Sequence, residues 1–319
     1  MMNKKQILSV CLLLVTTAGA AHANGGITAA MLRQMEAMQP QSAANQALAN
    51  AIAGNKIDDL AKNYRNSATM TSNFSVETPK QSIHDQKSSG RCWMFSGLNV
   101  LRANFAKAND QKRTVEFSQA YLFFYDQLEK ANLMLQGVID CADKPMDDTR
   151  VQFFFKNPIS DGGTFCGIAD LTEKYGLVPM SVMPETYNSD NTRTMARLVS
   201  SKLREYGLEL RRMVAAKQSA SAIEKRKTEM LATVYRILAA CLGEPVQQFT
   251  WTLRDADGKP LGETKEYTPL SFYNEYIGKD LRGGYIMVMN DPSRPYHKTY
   301  TIDLDRHSYD GASSVCSVW

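Results

Sequence analysis

The feature that most constrains the fold is a change of period at residue 243. Upstream, apolar residues recur at helical spacing. Met94, Phe95, Leu98, Leu101 and Phe105 follow a Ser88-Ser89-Gly90 turn, and 117–135 reads as a further helix. Residues 194–242 predict two long amphipathic helices. One sets Val199, Leu203, Tyr206, Leu210 and Met213 on a single face, the other Ile223, Met230, Val234, Ile237 and Leu238, and Gly243-Glu244-Pro245 stops the second. Downstream the period falls to two. Residues 248–254 alternate, Asp257-Gly258 signals a hairpin, and 285–289 reads as an apolar strand closed by Asn290-Asp291-Pro292. Thr268-Pro269 has the chemistry of an N-cap and first helical position. Helices first and strands late predict an α+β protein. Ahead of this body, 27–60 is expected to be helical in two pieces, joined through a polar stretch at 67–80.

Residues 1–23 read as a secretory signal peptide: Lys4 and Lys5, a short apolar run, then Ala21-His22-Ala23 before Asn24. Thr16-Thr17 interrupts that run well short of the ~20 apolar residues a membrane anchor needs. The expected mature protein is 24–319, soluble and exported to the periplasm or beyond. Its charge is 35 − 33 = +2, once Lys4 and Lys5 are taken from the full chain's 37 basic residues against 33 acidic ones. A balance so near neutral gives no reason to expect nucleic acid or a membrane as partner.

Of six cysteines, Cys11 falls in the leader, leaving Cys92, Cys141, Cys166, Cys241 and Cys316. An odd number leaves at least one thiol outside any intramolecular disulfide, and the pairing among Cys141, Cys166, Cys241 and Cys316 is open. No C-x-x-C, zinc-finger spacing, H-E-x-x-H, G-x-S-x-G or P-loop occurs. Asp147-Asp148 reads as an acidic turn in solvent. One stretch carries chemistry: Asp85-Gln86-Lys87-Ser88-Ser89-Gly90-Arg91-Cys92-Trp93. A thiol attacks as thiolate, and a helix's first turn favours that charge through its unpaired N–H groups. Gln86 offers an amide that could donate to a developing oxyanion. These residues alone leave Cys92 open between a nucleophile and a small buried hydrophobe.

The segment from Gln86 to Trp93 resembles the active-site segment of papain-like cysteine peptidases, in particular the aminopeptidase C and bleomycin hydrolase branch. The resemblance continues through Glu116-Phe117-Ser118-Gln119-Ala120-Tyr121, Asn157-Pro158, Asp161-Gly162-Gly163, Glu173-Lys174-Tyr175-Gly176, Pro184-Glu185, Thr250-Trp251 and Asn290-Asp291-Pro292, covering roughly 63–305. Ser89-Gly90-Arg91-Cys92-Trp93 stands where papain has Cys-Gly-Ser-Cys-Trp. The resemblance implies a helical left domain carrying Cys92, a helical insertion at about 194–242, and part of a β-barrel right domain. It implies peptide substrates with a free N-terminus, cleaved through a Cys92 acyl-enzyme with Gln86 at the oxyanion. A homo-hexamer is implied, and neither metal nor organic cofactor is expected.

The family's acid–base pair is harder to place. Of four histidines, His22 leaves with the leader and His84 reads as a solvated loop residue. His297 aligns upstream of the family's catalytic histidine, and His307 is a stand-in base without a partner asparagine. The family's Asn-Ser-Trp-Gly is absent, and 311–319 does not resemble the family's continuation. The expectation is therefore a C-terminally incomplete peptidase, inactive as written. The alternative is a non-catalytic fragment or an assembly and binding protein of the same fold.

Overall fold

A computed structural model describes residues 25–319 apart from 81, 110–112, 256, 279, 303–304, 312–313 and 319. The leader expected at 1–23, with Cys11 and His22, lies outside the described residues. The chain divides into two units, Met1–Ser75 and Val76–Trp319.

The first unit carries α1 (Ala29–Ala37), α2 (Ala43–Gly54), the short α3 (Ile57–Leu60) and a 3-10 turn at Tyr64–Thr69. Thr28 and Ser42 start the two longer helices by accepting the backbone N–H of Met31 and Asn45. These are the two helical pieces expected at 27–60.

The second unit is built around α5 (Gln119–Asp140). Before it lie α4 (Cys92–Ala108) and the two-residue strand β1 (Arg113–Thr114). After it come α6 (Thr149–Lys156), α7 (Phe165–Tyr175), the single turn α8 (Tyr187–Asp190), α9 (Arg193–Ala215) and α10 (Ala220–Leu242). Ser118 caps α5 through the N–H of Tyr121, and its helix buries Tyr121, Leu122, Phe123, Phe124, Met134 and Leu135. The helices α9 and α10 pack on α5 and on each other. Most of the stripe read from sequence is buried: Val199, Leu203, Tyr206 and Leu210 on α9, Ile223, Met230, Val234 and Leu238 on α10, with Met213 and Ile237 half-buried. The expected insertion thus contributes to the core of this unit. Asp147-Asp148 is more than an acidic turn, because Asp148 accepts the N–H groups of Arg150 and Val151 and starts α6.

The strands follow. β2 (Phe249–Trp251) pairs antiparallel with β4 (Lys265–Tyr267), and β3 (Arg254–Asp255) pairs antiparallel with β1. Gly258, at φ +81°, turns the hairpin in which Asp255 N–H donates to Lys259 O at 2.9 Å. Thr268 and Ser271 form a reciprocal capping box for α11 (Pro269–Tyr276), with proline in its first turn as read. A three-stranded sheet has the order β5 (Met287–Met289), β7 (Ser314–Val318), β6 (Lys298–Ile302), parallel between β5 and β7 and antiparallel between β7 and β6. The apolar strand expected at 285–289 forms only over Met287–Met289 and faces outward. Ile286 and Val288 share its outward face, 74% and 60% exposed.

Candidate active site

Cys92 is the first residue of α4 and is exposed, and no side chain caps that helix. The turn before it is held from several sides. Gln86 Nε2 donates to Ser89 O at 2.6 Å, and Ser89 Oγ donates back to Gln86 O at 2.7 Å. Lys87 adopts φ +53°, with its N–H given to Asp85 Oδ1 at 2.8 Å. Ser88 N–H reaches Asp190 O at 2.9 Å, and Gly90 N–H reaches Asp161 Oδ2 at 3.0 Å. Gly90 must be small, since a Cβ there would lie 2.9 Å from that of Asp161. A cleft of about 790 Å³ opens beside this turn, lined by Ser88, Ser89, Gly90, Asp161, Asn191 and Arg193 among others. The turn that Gln86 closes with Ser89 leads directly into the helix that Cys92 begins. The Gln86 amide spends one N–H closing the turn and keeps a second.

Trp93 points inward. Its Nε1 donates to Asp161 O at 2.6 Å, and its ring lies 4.6 Å, centroid to centroid, from the imidazole of His307. His307 is 2% exposed. Its Nδ1 lies 2.8 Å from Asp126 Oδ1, and its Nε2 accepts the backbone N–H of Thr164 at 3.3 Å. The ring nitrogen facing the carboxylate is the one that donates, so Nδ1 carries its proton toward Asp126. Both ring nitrogens are therefore occupied. Gly163 and Gly167 make room for the ring, because a Cβ on either would approach it to 2.2 Å or 2.5 Å.

Asp126 is fully buried and also accepts Lys130 Nζ at 2.8 Å and Gln127 Nε2 at 2.9 Å. Burial pushes its carboxyl up, but the ammonium of Lys130 and the His307 ring together outweigh this and hold it below the usual carboxylate range. Lys130 donates further to Ser160 O and Gly162 O, at 2.9 and 2.7 Å. Sequence reading singled out His307 but missed its partners. Their one signal, an Asp and a Lys four residues apart on a helix, describes an ordinary surface pair equally well.

The remaining histidines lie elsewhere. His84 is a correction: it is half-buried rather than solvated, its Nε2 3.2 Å from Glu116 Oε1 and its ring against Arg102 Nη1. His297 sits in the exposed approach to β6, at φ +57°. Cys141 and Cys241 are held in the thiol form by burial, which pushes both up, and Cys141 Sγ donates to Gly137 O at 2.9 Å. Among the described residues no cluster of three or more His, Cys, Asp or Glu is arranged to hold a metal, and no helix is long and apolar enough to cross a membrane.

A helical body with a thiol at the head of its first helix, followed by short strands, is the α+β architecture of the papain-like peptidases. The Peptidase C1-like family model matches residues 26–317, beyond both ends of the stretch where motifs are readable by eye. The chain belongs to that family. It is 40% identical over 257 residues to aminopeptidase C of Lactobacillus delbrueckii subsp. lactis, which covers 80% of this chain and 57% of the relative. It is 39% identical over 240 residues to human bleomycin hydrolase, covering 73% of this chain and 52% of that one. The crystal structure of PepW from Lactobacillus rhamnosis superposes with a TM-score of 0.84 at 37% identity, over 92% of this chain and 66% of that one. The chain thus spans a little over half the length of the curated relatives it matches.

Proposed function

We propose that this chain carries the thiol half of a cysteine aminopeptidase of the bleomycin hydrolase type, acting on peptides with a free N-terminus after export. The carrying observation is the exposed Cys92 at the uncapped start of α4, directly after the turn that Gln86 closes and whose residues line an open cleft. The Cys92 thiolate would attack the peptide carbonyl carbon, forming a C–S bond while the oxygen takes the displaced electron pair. The Cys92 N–H and the second N–H of Gln86 would hold that oxygen. Collapse breaks the C–N bond, and the leaving amine needs a proton. Water then cleaves the thioester and releases the thiol.

A second reading has its own observation. His307 spends both ring nitrogens on Asp126 and Thr164, and His84 faces Glu116 and Arg102. Neither arrangement offers an imidazole that both takes the thiol proton and returns it to the amine. On this reading the chain is a slow or inactive member of its family, with assembly into the family's hexamer as its non-catalytic role.

One experiment addresses both. Iodoacetamide should label Cys92 faster than Cys141 or Cys241 in the folded protein. Turnover of an aminoacyl-amide should be on the order of 10³-fold or more below that of a full-length family member, because the groups of such a catalytic unit act together. Labelling of Cys92 no faster than Cys141 refutes the nucleophile reading. Rapid turnover abolished by Cys92→Ala refutes the second reading.

A further inference from the structure

The residue before Cys92 is an arginine with no solvent exposure at all. Its guanidinium lies between the rings of Phe95 and Phe123, 5.1 Å from each centroid. Nε donates to Ser89 Oγ at 3.0 Å, and Nη2 comes within 2.8 Å of Glu185 Oε2. That approach is close but not aligned as a hydrogen bond, and among the described residues Nη1 also has no hydrogen-bond partner. Arg91 occupies an N-cap position, where Ser, Thr, Asp or Asn would ordinarily turn an oxygen onto the first N–H groups. Its side chain turns into the core instead, so no side chain competes for the N–H groups beside the thiol.

A guanidinium does not give up its proton in a protein, so a full positive charge is fixed in low dielectric one residue from Cys92. For stability alone, well-packed hydrophobic residues would serve this site at least as well as a buried ion pair. We propose that Arg91 and Glu185 are positioning residues that set the charge state of Cys92 between them, Arg91 favouring the thiolate and Glu185 opposing it. This rests on the reading of Cys92 as the nucleophile. Each charge acts with a sign that does not depend on the details of packing. Removing the cation disfavours the thiolate, and removing the anion favours it. The other charges near the turn are common to every variant below: Asp85 and Lys87 within it, Asp161 on the facing loop, Asp190 and Arg193 around α8. Behind Trp93 lie Lys130, Asp126 and His307, also unchanged.

The test is the pH profile of iodoacetamide alkylation at Cys92 in the whole 319-residue chain, read by mass spectrometry of the Cys92 peptide. Arg91→Met should move the midpoint up by roughly one pH unit, the usual size of a nearby charge's effect, and slow labelling at neutral pH about tenfold. Glu185→Gln should move it down by a similar amount and speed labelling at pH below the midpoint. A purely structural role predicts loosening of the same turn in both variants, and so shifts of one sign. Shifts of one sign, or none, overturn the proposal. Where a single variant does not fold, Glu185→Asp decides: it keeps the charge but withdraws it by one methylene, and should lower the midpoint by a few tenths of a unit. An unmoved midpoint there overturns the proposal as well. If Cys92 of the unsubstituted chain labels no faster than Cys141, the nucleophile reading itself has failed, which the variants' signs cannot mimic.

Discussion

Replacing Asp126 by asparagine keeps the shape of the side chain and removes one charge from a site with no solvent access. Lys130 then keeps Ser160 O and Gly162 O as partners but loses the carboxylate at 2.8 Å that balances it. Removing one member of a buried pair costs about 3–5 kcal/mol. In a unit of this size each kcal/mol moves the thermal midpoint by roughly 2–4 °C, so a fall of about 6–20 °C is expected at neutral pH. The pH dependence adds a sign. Asp126 is held below its unfolded value, so its contribution is complete above ~4 and is lost as pH falls through the folded value. The unsubstituted protein should therefore lose its advantage over Asp126→Asn as pH falls below ~4. Differential scanning calorimetry from pH 7 to pH 3 measures both. The control is Asp126→Leu with Lys130→Met, which removes both charges and should be less damaging than Asp126→Asn. A cost below ~1 kcal/mol at pH 7, or a gap that persists undiminished in acid, would refute the assignment.

Gly163→Ala should drive the imidazole from its seat, because its Cβ would stand 2.2 Å from His307 Cε1 and 2.6 Å from Trp93 Cε2. A loss of about 1–3 kcal/mol is expected, together with new modification of His307 by diethyl pyrocarbonate, and protection equal to the parent's would count against it. Thr268→Ala removes the acceptor of the Ser271 N–H at 3.1 Å and should cost about 1 kcal/mol in a urea titration. N-terminal sequencing of exported protein should begin at Asn24, and an intact Met1 on that protein would contradict the leader.

What was legible in the sequence was local. The apolar stripes of α4, α9 and α10 and the Thr268-Pro269 helix start are written within a few turns of chain, and each is found in place. The Cys92 turn is equally local, since Gln86 closes on Ser89 three residues away. What was not legible joins distant segments. His307 and Asp126 are 181 residues apart, and Arg91 meets Glu185 from another part of the chain. Neither pair leaves a spacing signal. Arg91 was visible only as a departure from papain's Cys-Gly-Ser-Cys-Trp, and Asp126 and Lys130 carried no signal beyond their four-residue spacing. His84 was misjudged for the same reason, because Arg102 and Glu116 approach it from other elements.

The two charge clusters flank the thiol through a single side chain. Trp93, adjacent to Cys92, gives its N–H to Asp161 O, while the Asp161 carboxylate takes the N–H of Gly90 on the other side of the thiol. On its inner side the same ring carries His307, with Lys130 Nζ 5.4 Å from its centroid. The turn that presents Cys92 is thus clamped from the Asp161 loop, and that loop is fixed by Lys130 through the carbonyls of Ser160 and Gly162. Rigid support of this kind is what a nucleophile needs, since its attack geometry tolerates little displacement. His307 packs on the inner face of the Trp93 ring and ties it, through Asp126 and the Thr164 N–H, to α5 and to the start of α7.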